Sequence, residues 1–366
     1  MDILFYHSSL KRGGAERVIV GLSNYFVELG HNVSIILINE DTSEYDLDER
    51  VSLSSVRSNK KKSSVIAAIK FNMMLVLQLH KQLSSKKPDI VVCFGVNQLL
   101  HAYIAKIGVK CKLIGAERAN PFEDPCGKFW KRAKRFLFTK VDGFIFQTEG
   151  AKSFYPCDRH EQKITIIQNP IAKEIANTNC LEYMDRKDDM FCSIGRLEAA
   201  KAYDFLIKSF CCFRMKYPKC KLVIWGEGRE RGKLESLIKE LDAESFIMLP
   251  GRTNDVAEKL QNTKFFVLSS KREGMPNTLI EAMAMGCVCV ATDCEFGPRD
   301  IIKDGWNGIV VENQNVEMMV SVLEKIYLDK NLQIHLSENA REVRNTNSME
   351  QIGREYLEFF EKICRN

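Results

Sequence analysis

From Met190 to Leu268 the chain alternates between apolar runs of strand length and amphipathic stretches of helix length. Met190 to Ile194, Lys221 to Trp225, Phe246 to Leu249 and Phe265 to Leu268 read as strands, with Tyr203 to Tyr217, Arg231 to Leu241 and Asp255 to Leu260 as the helices between them. Repeated strand, helix, strand units close onto a parallel sheet with helices on both faces, the doubly wound α/β arrangement. The first half opens in the same way. Residues 2 to 8 (DILFYHS) read as a buried strand, a helix carries Val18, Val20, Leu22 and Phe26 to about Leu29, Gly30 caps it, and Val33 to Ile38 is a second apolar strand. A helix over Val65 to Leu83 and strands at Pro88 to Phe94, Val141 to Gln147 and Ile164 to Gln168 continue the series. A chain of 366 residues exceeds one ordinary core. Two α/β domains are therefore expected, 1–170 and 171–345, with polar residues 171 to 189 as linker. A last amphipathic helix in 346–366, bearing Ile352, Tyr356, Phe359, Phe360 and Ile363, is expected to pack back toward the first domain.

Composition narrows the function. No stretch offers the roughly 20 apolar residues of a membrane span; even Val65 to Leu79 is broken by Lys70 and Asn72. Met1-Asp-Ile-Leu-Phe-Tyr6 starts as a strand and lacks the order of a signal peptide, so a cytoplasmic protein is expected. The thirteen cysteines form no CxxC pair and are expected as reduced, mostly buried thiols. Charge is uneven: residues 1 to 170 hold 25 Lys+Arg against 17 Asp+Glu, and the remainder 28 against 31. An anionic partner for the first half follows.

The polar residues that matter cluster where predicted strands end, the edge at which open α/β sheets bind ligands. Gly13-Gly14 follows the first strand. Glu117 and Arg118 follow the run from Leu113, either facing a ligand or pairing to cap the sheet. Behind them Lys128, Lys131, Arg132, Lys134, Arg135 and Lys140 interleave with Phe129, Trp130, Phe136 and Phe138. On a helix Phe129, Ala133, Phe136 and Leu137 share a face, so this segment suits an anionic bilayer or a phosphate-bearing ligand, or else is a surface helix with its aromatic side in the core. No nucleic-acid module is visible. Asp46 and Asp48 form a DxD in an acidic loop without a strand to position it, and read as solvated. In the second half, Gly195-Arg196 with Lys201 offers two cations behind a strand, Gly226-Glu-Gly228 a backbone cradle, and Gly251-Arg252 another. Ser270-Lys-Arg-Glu273 then leads through Gly274, Met275, Pro276, Asn277 and Thr278 to a helix containing Glu281. A glycine-rich loop feeding a helix start suits an anionic or polyhydroxyl ligand, Glu273 holding hydroxyls and Glu281 a ribose.

With GGAER at 13 to 17, GRL with Lys201 at 195 to 201, GEG at 226 to 228, PGR at 250 to 252, EGMPNTLIEAMAMG at 273 to 286, GPRDII at 297 to 302 and DGWNG at 304 to 308, the chain resembles the retaining glycosyltransferases of family 4. The resemblance implies the GT-B fold, two facing Rossmann-like doubly wound domains with a deep interdomain cleft that takes a nucleotide sugar. Arg196 and Lys201 are then expected at the donor diphosphate, Glu281 at the ribose and Glu273 at the transferred sugar. The Gly274 to Thr278 amides are expected against sugar and phosphate, Gly251-Arg252 beside the base, with Gly195, Gly226, Gly13 and Gly14 completing the donor site. It also implies retention of anomeric configuration by same-face attack, with no metal or other cofactor. Within the family the chain looks most like bacterial transferases that extend lipid-diphosphate-linked oligosaccharides for O-antigen, capsule, lipopolysaccharide or glycoprotein glycan.

The expected activity is therefore transfer of a hexose or N-acetylhexosamine, from UDP by preference, to a polyprenyl-diphosphate-linked glycan by an enzyme held peripherally at the cytoplasmic face of the inner membrane. The acceptor and membrane side is assigned to Glu117, Arg118, Lys128, Trp130, Lys131, Arg132, Lys134 and Arg135. The alternatives are a catalytically silent partner in a glycan-assembly complex and a sugar-nucleotide epimerase on the same fold. Departures from the family pattern are Ala202 where glycine is usual, Asp300 where glutamate is common, and no His beside Glu117-Arg118.

Overall fold

The computed structural model describes residues 1–11, 13–56, 65–118, 121–122, 127–157, 160–179 and 187–365. The chain forms two compact units, Met1–Pro170 together with Met349–Asn366, and Ile171–Ser348.

The first unit holds a seven-stranded sheet. Its strands are β1 (Asp2–His7), β2 (Asn32–Leu37), β3 (Ser52–Ser55), β4 (Ile90–Phe94), β5 (Lys112–Ala116), β6 (Gly143–Phe146) and β7 (Ile164–Ile166), in the order β3-β2-β1-β4-β5-β6-β7. Every neighbouring pair is parallel, with Phe5 opposite Ile35 and Val91 opposite Leu113. Strands such as Ile90–Phe94 are buried throughout, which is why they read as unbroken apolar runs rather than as alternation. Helices Val65–Lys86, Val96–Ala105 and Lys128–Lys140 cover one face through Leu79, Leu99 and Phe138. Helices Gly14–Glu28 and Met349–Arg365 cover the other through Phe26, Tyr356 and Phe360.

The second unit holds a six-stranded parallel sheet. It comprises β8 (Lys187–Ile194), β9 (Lys221–Trp225), β10 (Ile247–Gly251), β11 (Thr263–Leu268), β12 (Val288–Asp293) and β13 (Ile309–Glu312), in the order β10-β9-β8-β11-β12-β13. Strand order reverses between β1 and β4 in one sheet and between β8 and β11 in the other. At such reversals the loops leaving two adjacent strands part in opposite directions and open a crevice at their C-terminal ends.

The structure corrects the sequence reading in places. Residues 171 to 189 are not only a polar linker. Ile171, Ala172 and Ile175 are buried in the second core, helix Lys173–Asn177 lies among them, and β8 already begins at Lys187. A few apolar anchors in a polar stretch are enough to dock it, and composition averages them away. The second unit also runs on to Ser348 rather than ending at residue 345, with a separate helical turn at Val343–Thr346. Strand β3 (SLSS) carries no periodic apolar signal because it is a short edge strand. The described cysteines are free thiols, most of them buried. Among the described residues no helix is long and apolar enough to cross a membrane.

Candidate functional site

The second sheet's reversal point carries a connected set of polar contacts. Strand β8 ends in Gly195-Arg196, the chain turns through Ala199–Lys201, and helix Tyr203–Arg214 follows. Strand β11 leaves its end through Ser269 and Ser270. Lys201 Nζ lies 2.6 Å from Glu273 Oε1, with both side chains largely buried. Ser270 Oγ donates to the same carboxylate oxygen at 2.6 Å. The two loops are also stitched by backbone: Ser269 Oγ donates to the Lys201 carbonyl at 2.8 Å, and the Lys271 N–H to that of Ala200 at 2.8 Å. Thr292 Oγ1, at the end of β12, donates to the Ser270 carbonyl at 2.6 Å. Ammonium and carboxylate are thus held by three strand ends. Close to this cluster, burial and then the neighbouring Glu273 charge push the Cys294 thiol up to about 12, so it stays protonated at neutral pH.

Gly274, Met275 and Pro276 lead into helix Asn277–Ala284, whose first turn has neither an acidic residue nor a side-chain cap. Asn277 and Thr278 thus begin a helix whose N-terminus carries the positive end of its dipole. Glu281 lies farther along the same helix and is buried. A second turn backs the loop: Gly297 has φ +96°, and a Cβ there would meet the Gly274 carbonyl at 2.8 Å. Asp300 Oδ2 accepts from the Gly297 N–H at 3.1 Å, so the shorter carboxylate still closes the helix start.

Three parts of the expected donor site have these surroundings. Gly226 and Gly228 are required by packing: a Cβ on Gly226 would lie 1.8 Å from the Gly195 carbonyl oxygen, and one on Gly228 2.2 Å from that of Leu197. The GEG and GRL loops interlock, and Gly251 joins them through its carbonyl, 2.8 Å from the Gly226 N–H. Arg196 is not fixed beside Lys201; it is 79% exposed and 3.3 Å from Glu198, a solvated pair. Arg252 is likewise exposed. Sequence reading gave Ser270 no role, although its S-x-x-E spacing to Glu273 signals a side-chain hydrogen bond across one turn.

In the first unit Gly13 precedes helix Gly14–Glu28, and the Tyr45 hydroxyl bridges it, accepting from its N–H and donating to its carbonyl at 2.8 Å each. His7 Nε2 and Glu16 Oε1 are 3.2 Å apart. Burial alone would raise the Glu16 carboxyl. The His7 hydrogen bond, a backbone N–H and the charges of His7 and Arg118 outweigh it and hold the group below its ordinary value. The Arg118 guanidinium lies over the Phe94 ring at 4.3 Å, and burial lowers its affinity for the proton.

The helix Lys128–Lys140 is turned differently than expected. Lys134 is 5% exposed, 3.0 Å from the 7%-exposed Glu117, which also accepts from the Tyr155 hydroxyl at 2.6 Å. Glu117 and Lys134 thus form a buried ion pair, removing both from the acceptor or membrane side. The pair sets the helix phase: Lys134, Leu137 and Phe138 face the core, and Phe136 turns outward with Arg132 and Arg135. Lys131 donates to the Phe122 carbonyl, and Trp130 is half-buried. The Lys128 and Phe129 side chains and Lys60-Lys-Lys62 lie outside the described residues. Of the DxD, Asp48 pairs with Arg50 at 2.7 Å, and that hydrogen bond lowers its carboxyl to about 2.

Comparison with known proteins adds a family. Residues 183–343 match the family described as Glycosyl transferases group 1, and residues 12–174 the Glycosyltransferase Family 4 domain. The chain is 28% identical to the N-acetylgalactosamine-N,N'-diacetylbacillosaminyl-diphospho-undecaprenol 4-alpha-N-acetylgalactosaminyltransferase of Campylobacter jejuni, over 96% of this chain and 97% of that one. Its fold matches that of a glycosyltransferase from Rickettsia africae with a TM-score of 0.83 at 18% identity, over 100% and 98% of the two chains. The pneumococcal O-GlcNAc transferase GtfA, solved with UDP and GlcNAc, matches with a TM-score of 0.79 at 14% identity over the full length of both. The two parallel sheets are those of the GT-B fold.

Proposed function

We propose, from the premise that the chain belongs to the glycosyltransferases joining a family 4 domain to a group 1 domain on the GT-B fold, that it is a retaining, metal-independent transferase. It is a glycosyltransferase of bacterial surface-glycan assembly. In this reading it moves a hexose or N-acetylhexosamine from UDP to a glycan carried on a polyprenyl diphosphate at the cytoplasmic face of the membrane. The observation that carries the reading is the Lys201–Glu273 pair at the end of β8 and β11. An ammonium held by a carboxylate and three strand ends is preorganised to meet a developing diphosphate charge, the kind of electrostatic stabilisation that dominates such reactions. Arg196, solvent-exposed beside Glu198, supplies a second cation, and the start of helix Asn277–Ala284 supplies dipole. Glu273 then faces the sugar and Glu281 the ribose.

Chemically, the bond from the anomeric carbon to the phosphate oxygen breaks while that to the acceptor hydroxyl forms on the same face. The hydroxyl proton passes to the departing phosphate. The diphospho-undecaprenol acceptor in the Campylobacter relative's name supports the lipid-linked acceptor, and the UDP in the pneumococcal neighbour supports the donor base.

The test is thermal stabilisation by UDP-, GDP- and ADP-sugars, since a ligand of the folded state raises stability by mass action. A shift with UDP-sugars that disappears in Lys201→Ala is expected; a shift with another nucleotide alone would replace the base, and a shift untouched by Lys201→Ala would remove the site. Lys201→Ala and Glu273→Gln should each slow transfer by at least about a hundredfold. The product's anomeric coupling should match the donor's, and EDTA should leave the rate unchanged.

A further inference from the structure

Helices Val65–Lys86, Val96–Ala105 and Lys128–Lys140 lie side by side on one face of the first sheet, the middle one touching both others. Their inner sides are buried in a shared core. Their outer sides are unusual in two independent ways.

The first is apolar exposure. Ile66, Ile69, Met73 and Leu77, at helical spacing along the first helix, are 59 to 67% exposed and form one stripe. Ile104 and Ile107 at the end of the middle helix, and Phe136 on the third, add exposed apolar side chains on the neighbouring helices. The exposed large apolar residues of the second unit are instead far apart in sequence, such as Met215, Met248 and Leu328, and even the two that share a helix, Met318 and Leu328, stand ten residues apart. Scattered single residues need no explanation, whereas a continuous patch marks a docking surface.

The second is charge. The three helices, of 22, 10 and 13 residues, contain no Asp or Glu. At the chain's average of 48 acids in 366 residues, that length would hold about six. Lys70, Lys81, Arg132, Arg135 and Lys140 are exposed around the stripe. An aliphatic stripe rimmed by one sign of charge fits acyl chains and lipid phosphates together. A second copy docked two-fold on this face would set cation against cation. A single-stranded nucleic acid would ask for aromatic platforms in place of Ile, Met and Leu.

We infer that this three-helix face docks on an anionic lipid bilayer, the Ile66-to-Leu77 stripe entering the headgroup boundary and the flanking cations meeting lipid phosphates. The inference deepens the proposed function by naming the surface on which a lipid-borne acceptor is met, but it is decided by flotation, a readout that needs no turnover. The full chain is floated with phosphatidylcholine vesicles with and without phosphatidylglycerol, at low and high salt. Binding is expected to the anionic vesicles, weaker at high salt, and to fall at least about tenfold in the exposed-stripe variant Ile69→Glu/Met73→Glu/Leu77→Glu. That variant should keep its thermal midpoint and its transfer to a short-chain, water-soluble acceptor. Wild-type protein left in solution, or equal binding by the variant, overturns the inference. So does a wild-type dimer, seen by sedimentation velocity, that the variant splits without any change in flotation. Loss of transfer in Lys201→Ala with flotation intact is expected; failure of all transfer with flotation intact counts against the proposed function alone.

Discussion

Ala202 has φ +48° and ψ +43°, the left-handed region, directly after Lys201. That conformation costs an L-residue about 1–2 kcal/mol, which explains why glycine is usual there. The Ala202 methyl is also fully buried, and removing it forfeits about 0.8 kcal/mol. The two effects nearly cancel, so Ala202→Gly should change stability by less than about 1 kcal/mol, while Ala202→Val, β-branched and overpacked at positive φ, should lose about 2 kcal/mol or more. Urea midpoints measure both, and a large loss in the glycine variant would mean the turn is unstrained. Glu16 gives a pH prediction. Its folded value lies below the ordinary 4.5, so its contribution is complete above that value and is lost as pH falls through the lower folded one. Acid unfolding should therefore be shallower in Glu16→Gln, and an unchanged slope would contradict the shift. Glu273 and Lys201 were legible as residues because glycine, proline and charge mark their loops. The 2.6 Å contact between them was not, since nothing local ties positions 72 apart.

At the scale of the element, helix Lys128–Lys140 is the instructive one. Its six cations and four aromatic residues are plain in the sequence, where Phe129, Ala133, Phe136 and Leu137 read as the shared face. The helix phase is set instead by Glu117 at the end of β5, which draws Lys134 into the core. Removing one partner of a buried pair is costly where replacing both is not. Glu117→Ala should destabilise by about 3–5 kcal/mol, and Glu117→Leu/Lys134→Met should recover most of it. Denaturant unfolding of the three proteins decides; a mild single-variant effect would show the pair to be solvated in solution.

At the scale of the molecule, the chain returns to its first unit at the end. Ile352, Tyr356, Phe359, Phe360 and Ile363 are buried in the same core as β1 and helix Gly14–Glu28. At about 1.5–3 kcal/mol each they contribute roughly 10 kcal/mol, comparable with the 5–15 kcal/mol that stabilises a whole domain. A chain ending at Ser348 should lose amide protection throughout the first unit and keep it in the second. Protection retained in residues 2–37 would show the first unit to be self-sufficient.

By itself the sequence determined that two doubly wound α/β sheets form, because burial on both faces and the strand–helix alternation are written into local periodicity. It also marked the strand-end loops where glycine, proline and charge gather, because those signals have local causes. Only the tertiary structure decided that Lys201 meets Glu273, that GEG glycines serve packing, that Lys134 is buried and that Ile66 to Leu77 is not. Those outcomes depend on which strand ends lie side by side and on how far each helix is rotated, and both are set by partners distant along the chain.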